Sequence, residues 1–174
     1  MMRSRFLLVP AAMVIAAAPA QAVNFLSVEQ AQSLLFPGAT MTPADFTMSE
    51  HQVDQLINLT GSTVYRSKVR AWRASTGGWF FVDQVPGRDD RVTYALAIDP
   101  SGIVRGVEVM IGLPEYGAIT TPEWRQHFHG RKHDTTGESE IPIVSGQTLT
   151  TAHVGEGINR LLATYALFIA PRGK

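Results

Sequence analysis

Hydrophobic and polar positions follow a helical period near the start of the chain and a period of two through its middle. The run Ser27–Leu35 predicts a short helix, with Ser27 as N-cap, Gln30 at the capping-box position and Pro37-Gly38 as the stop. Ser49 opens a second helix, with Val53, Leu56 and Ile57 on one face and Gly61 at its end. The period then changes. Val64 to Arg73 reads as a strand with Arg66, Lys68 and Arg70 on one face and Ser67, Val69 and Ala71 on the other. Ser75 to Gly78 turns the chain into the strand Trp79–Val85, and Pro86 to Arg91 forms the next loop.

Val92, Tyr94, Leu96 and Ile98 alternate with Thr93, Ala95 and Ala97, and Asp99-Pro-Ser-Gly102 suits a type I turn. Ile103–Ile111 is the partner strand, so residues 91–111 are expected to form a hairpin. Thr121-Pro122 caps and begins a helix through Phe128, and 129–140 is polar loop. From about Thr150 to Phe168, Val154, Ile158, Leu161, Leu162 and Tyr165 recur at helical spacing. The pattern predicts a single α+β domain, an antiparallel sheet flanked by helices.

The N-terminus follows a different logic. Arg3 and Arg5 precede an apolar run, Phe6 to Ala18, and Ala20-Gln21-Ala22 supplies a small-x-small cleavage pattern. Residues 1–22 are therefore expected to be an export signal, with an uncleaved membrane anchor as the alternative. The expected product is an exported domain. Residues 23–77 are expected to extend a core of 78–170 within the same domain. The 174-residue chain has 15 basic and 15 acidic side chains, and loss of Arg3 and Arg5 leaves a net of −2. That balance argues against a general nucleic-acid binder. The absence of cysteine rules out disulfides, thiolate nucleophiles and Cys-ligated iron–sulfur or zinc centres.

Candidate chemistry concentrates in Ile141–Thr151, an apolar stretch, a Ser145-Gly146 turn, and the hydroxyls of Thr148, Thr150 and Thr151 leading into a helix. Free N–H groups at a helix start favour a phosphate or its ester, and Gly146 admits close approach. The same pattern also suits plain N-capping. No Gly-Lys-Ser/Thr is present, so this is not a Walker A loop.

Ser145-Gly-Gln-Thr148-Leu-Thr150 resembles the Ser-Gly-Ala-Thr-x-Ser/Thr signature of the FMN-binding domain family, which includes flavin-carrying subunits of Na+-translocating NADH:quinone reductase and Rnf-type complexes. Tyr94–Met110 resembles that family's central hairpin, and Tyr116-Gly117 followed by Trp124-Arg-Gln-His-Phe128-x-Gly130 resembles a further segment. Gly157–Leu162 is similar to its following helix, so the likeness runs over roughly residues 78–168. The resemblance implies an exported, periplasmic electron-transfer protein whose FMN is attached by a flavin transferase, as a phosphoester, to Thr148. It further implies cofactor contacts from Ser145, Gly146, Gln147, Thr150, Thr151, Glu115, Tyr116 and Gly117, with Tyr116, Trp124 and Phe128 lining the ring. A membrane or periplasmic redox partner is the implied recipient of electrons. The chain departs from the pattern with Pro142 in place of an Asp, Gln147 in place of an Ala, and Glu115 shifted by one residue. A non-redox or non-covalent ligand-binding module on the same fold is the alternative.

Other constellations lead elsewhere. His127, His129 and His133 offer imidazoles without a fixed geometry, so no metal site is expected. Ser145 with scattered His and Asp residues lacks a Gly-x-Ser-x-Gly elbow, which sets a hydrolase aside. His153 is expected to face either the phosphate or solvent. The Arg66, Lys68 and Arg70 stripe suits a solvated strand face or an acidic docking partner. Trp72, Trp79, Phe80 and Phe81 are expected in the core.

Overall fold

The computed structural model describes residues 21–133, 144–146 and 148–170. Short strands β1 (Val23–Asn24), β2 (Met41–Pro43) and β3 (Phe46–Thr47) surround helix α1 (Val28–Leu35) and precede helix α2 (Glu50–Thr60). Four longer strands follow: β4 (Lys68–Ala74), β5 (Trp79–Pro86), β6 (Arg91–Ile98) and β7 (Val104–Gly112). A 3₁₀ segment (Pro114–Thr120), helix α3 (Pro122–Gln126), helix α4 (Thr148–Thr164) and a π-helical turn (Tyr165–Ile169) complete the fold. The sheet is antiparallel, ordered β1-β7-β6-β5-β4-β2, with β3 also on β4. This is the expected α+β architecture, a sheet flanked by helices.

Both early helices are fixed by local chemistry. Ser27 and Ser49 each cap the third backbone N–H of their helix, and Gln30 and Gln52 reach back to the caps, closing two capping boxes. Gly61 ends α2 with φ of 65°, a left-handed turn that costs glycine no steric penalty.

The central strand β6 is buried on both faces, from Val92 through Ile98. Its alternation is one of size rather than polarity. Val92, Tyr94, Leu96 and Ile98 join a core with Val154, Ile158, Leu161 and Leu162 of α4, and Leu56 of α2. Ala95 and Ala97 face the other way, with Phe80, Val82 and Met110, against Ala31, Leu35 and Phe36. Small residues on that side let α1 pack close to the sheet. Val69 and Ala71 of β4 belong to the α4-side core, so residues on both sides of position 77 share one sheet and one core.

Helix α4 meets the sheet at Gly157, where a Cβ would lie 2.3 Å from the Tyr94 hydroxyl and 3.0 Å from Val85. Tyr94 donates to Asp83 (3.0 Å), which also accepts from Arg160 of α4 (2.5 Å). Arg160 donates again to the Thr63 carbonyl (2.9 Å) and lies over the Tyr65 ring. The guanidinium is buried, and its carboxylate partner and hydrogen bonds supply the compensation that a buried charge requires. Burial, with the nearby Asp83 charge, raises the Tyr94 phenol well above its ordinary range.

Several sequence expectations shift. The first long strand begins at Lys68, not Val64; Arg66 lies ahead of it and donates to Gln84 (2.8 Å). Lys68 and Arg70 are exposed opposite buried Val69 and Ala71, as the alternation implied. The last helix starts at Thr148 rather than Thr150, and its final turn is π-helical. Phe80 and Phe81 are fully buried, whereas Trp72 and Trp79 are half-buried, each beneath an arginine, Arg70 and Arg73. The short strands β1, β2 and β3 carry too few residues to show a period.

Candidate functional site

The candidate site is built at the start of α4. Gly146 has φ of 79°, so the Ser145-Gly146 turn uses a backbone conformation that glycine adopts freely. Among the described residues no heavy atom lies within 4 Å of the place a Cβ would take at Gly146. Thr148 is the first residue of α4 and is exposed, as are Ser145 and the neighbouring Leu149. Backbone N–H groups of a first helical turn lack intrahelical acceptors, and the helix dipole places partial positive charge there.

The remaining hydroxyls of this segment point inward. Thr150 and Thr151 are fully buried. The Thr150 hydroxyl accepts from the Arg88 N–H (3.2 Å), and the Thr151 hydroxyl donates to the Thr148 carbonyl (2.9 Å). Thr148 and Ser145 are thus the hydroxyl side chains that the described part of this segment leaves open to an incoming group. Gln147, and Pro142 with its neighbours, lie outside the described residues.

The β5–β6 loop is latched onto this helix start. His153 makes a 2.8 Å hydrogen bond from Nδ1 to the Pro86 carbonyl. A carbonyl only accepts, so Nδ1 carries the hydrogen. His153 therefore faces the loop, which answers the choice between phosphate and solvent. On the loop's other side the Tyr116 hydroxyl accepts from the Asp89 N–H (3.1 Å). Gly87 permits this approach: a Cβ there would fall 2.7 Å from the Tyr116 hydroxyl and 2.5 Å from the Asp90 carbonyl. Arg88 projects from the loop tip and is exposed, its guanidinium 2.7 Å from Asp89, whose hydrogen bond and charge raise its pKa further.

Thr150, Arg88, Asp89 and Tyr116 thus form one connected chain of contacts. The others are distributed differently. Trp124 and Phe128 are buried and pack edge to face, with centroids 4.8 Å apart. Arg131 lies over the Phe128 ring, at 4.9 Å. These rings, and that of Tyr116, are core elements supporting the hairpin rather than open faces. Glu115 is exposed in the 3₁₀ segment, and the Gly117 carbonyl accepts from Thr120 (2.6 Å). Arg125 pairs with Glu108 beside β7. His127 and His129 are exposed, and among the described residues no three His, Asp or Glu side chains converge as metal ligands.

Sequence reasoning missed the β5–β6 loop as a component of the site. The one local signal was Pro86-Gly87 ahead of a charged tip. Among the described residues no helix is long and apolar enough to cross a membrane. No family model matches the chain, and no curated protein matches it as a relative.

Proposed function

We propose that this chain is an exported FMN-carrying electron-transfer protein, with the flavin phosphate esterified to Thr148. The observation that carries the reading is that Thr148, a hydroxyl residue, is exposed at the first position of α4, behind the positive-φ turn at Gly146. The phosphate end of the group fits: no described residue crowds Gly146, N–H donors of the first turn are near, and the hydroxyls of Thr150 and Thr151 are engaged elsewhere. A phosphodiester is singly charged, so the helix N-terminus suffices to stabilise it without a dedicated cation. When bound, FMN supplies one- or two-electron transfer, and the protein sets its position and surroundings. Thr150 and Thr151 fix the first turn, and the loop from Pro86 to Asp90 walls it. A separate flavin transferase performs the attachment from FAD: the Thr148 hydroxyl oxygen gives up its proton and forms the new bond to the FMN-side phosphorus, while the pyrophosphate P–O bond breaks and AMP leaves.

The burial of Tyr116, Trp124 and Phe128 favours a second reading, a module on the same fold that holds a ligand without covalent flavin. Protein made together with a flavin transferase and run on a denaturing gel under ultraviolet light separates the two. The first reading predicts a fluorescent band that Thr148→Ala abolishes and Thr148→Ser retains. A band that survives Thr148→Ala would overturn the acceptor assignment, and a dark band from the parent chain would favour the binding module.

A further inference from the structure

Strand alternation and register place Lys68 and Arg70 of β4, Gln84 of β5, and Arg91 and Thr93 of β6 on one face of the sheet. It is the face whose other end α1 covers, over Phe80, Ala95, Ala97 and Met110. We propose that the end left exposed is a docking surface for an acidic protein segment, one that presents several carboxylates to Arg66, Arg70 and Arg91. The proposal does not rest on flavin attachment.

A pair of guanidiniums gathered on a neutral acceptor forms the centre of the surface. Arg66, from the loop ahead of β4, donates to the Gln84 side-chain oxygen (2.8 Å), and Nη1 of Arg91 lies 3.5 Å from the same oxygen. The Gln84 amide nitrogen donates to the Thr93 hydroxyl (3.3 Å), which turns the amide oxygen toward the two arginines. Like charges brought this close repel, and a carboxylate arriving between them supplies charge-assisted, fork-shaped hydrogen bonds that a neutral amide does not. Arg70 adds a third cation, held over the Trp72 ring at 5.4 Å from its centroid. The acids nearby are committed elsewhere. Asp45 lies 3.9 Å from Lys68 and accepts the Ala71 N–H (3.0 Å), and Asp90 accepts the Arg91 backbone N–H (2.7 Å). Asp83, on the opposite face, serves Arg160 and Tyr94. Among the described residues no carboxylate pairs with the guanidinium of Arg66, Arg70 or Arg91.

The extent of the surface selects the class of partner. Arg70 stands opposite Val82 and Val82 opposite Ala95, which is four residues along β6 from Arg91. Two inter-strand spacings and that length of strand put the Arg70 and Arg91 backbones roughly 16 Å apart. A small anion can meet Arg66 and Arg91 together but not Arg70 as well, whereas a chain with acidic residues at intervals meets all three. The floor between them, Val82 and Thr93, is buried, so no apolar side chain projects there to enter a bilayer, as membrane-surface binding requires. In a chain of zero net charge, three cations without carboxylate partners also orient the molecule toward an acidic surface before contact.

A hexaglutamate peptide with blocked ends tests this by heteronuclear NMR on the purified chain at low ionic strength. Hexaglutamine, inorganic phosphate and phosphatidylglycerol vesicles are the comparison probes. Hexaglutamate is expected to bind saturably, with shifts centred on residues 66–70, 82–84 and 91–93, and to weaken at least about fivefold as salt rises from roughly 0.02 to 0.15 M. Arg66→Gln and Arg91→Gln should each weaken it about threefold or more, and adding Arg70→Gln to both should abolish it. Arg73→Gln, on the opposite face over Trp79, should leave it unchanged. Gln84→Glu seats a resident carboxylate between Arg66 and Arg91 and should weaken binding as removal of either arginine does. Amide spectra report the folding of each variant. No saturable hexaglutamate binding, shifts centred elsewhere, equal affinity for hexaglutamine or phosphate, or unchanged affinity in the folded triple variant would overturn the proposal. Vesicle binding without hexaglutamate binding would overturn it too, by assigning the surface to lipid.

Discussion

Replacing Gly157 by alanine places a methyl carbon 2.3 Å from the Tyr94 hydroxyl and 3.0 Å from Val85, where α4 lies closest to the sheet. In an unobstructed helix interior the same change stabilises by about 1 kcal/mol. Here the tyrosine cannot retreat freely, because it is fully buried and its hydroxyl is held by Asp83 at 3.0 Å. Overpacking a rigid core costs about 1–3 kcal/mol, and loss of the Tyr94–Asp83 hydrogen bond adds about 1 kcal/mol. The net is a destabilisation of about 2 kcal/mol, which for a chain of this size lowers Tm by roughly 4–8 °C. Tyr94→Phe removes the nearest atom, leaving the ring carbon at 3.1 Å and Val85 at 3.0 Å. In that background Gly157→Ala should cost at least about 1 kcal/mol less, because only marginal contacts remain. Urea unfolding of the four chains in this double-mutant cycle supplies the test. An alanine variant more stable than the parent, or an equal cost in both backgrounds, would refute the crossing geometry.

Three further outcomes follow from the same contacts. The Tyr94 phenol is raised above its unfolded value of 10.0, so the folded chain retains a proton that the unfolded chain releases. Stability should therefore be unaffected by this group below about pH 10 and decline above it, and Tyr94→Phe should flatten that alkaline limb of the Tm profile. Asp83→Ala leaves the Arg160 guanidinium, whose side chain is 6% exposed, without its carboxylate. Because Asp83 itself is 22% exposed, the expected loss in denaturant unfolding is about 2–4 kcal/mol, below that of a fully buried pair. Thr150→Val keeps the packing volume but removes the acceptor for the Arg88 N–H. It should cost about 1–2 kcal/mol and speed hydrogen exchange at Arg88, leaving exchange in β6 unchanged.

The extent to which this architecture is legible in the sequence depends on where each element draws its stability. The helices Val28–Leu35 and Glu50–Thr60 could be read because their capping boxes and stops are local chemistry. The β6–β7 hairpin was legible from its alternation and from Asp99-Pro-Ser-Gly102, whose Gly102 N–H does bond the Asp99 carbonyl. Strands β1 to β3 were not, because two or three residues held only by a neighbour's edge carry no periodic signal. Likewise the onset of β4 at Lys68 is set by pairing, with β3 at Lys68 and Val69 and with β5 from Arg70, rather than by its own alternation.

For the site, residue types and order marked the start of α4, but not which hydroxyl stays open. That depends on Arg88, 62 residues from Thr150 in the chain, arriving to occupy the Thr150 oxygen. The same loop explains His153, whose partner Pro86 is 67 residues away. Aromatic residues placed around a cofactor by motif position are, in three dimensions, a brace beneath the loop and hairpin. Tyr116 still contributes, through its hydroxyl on the Asp89 N–H.

The most direct test of flavin attachment is the intact mass and fragment map of the chain produced with a flavin transferase. Covalent FMN predicts a gain of one FMN minus water, with the added mass confined to a peptide containing Thr148 and lost in Thr148→Ala. An unmodified Thr148 peptide in chain recovered from those cells, or the added mass on another residue, would contradict the account.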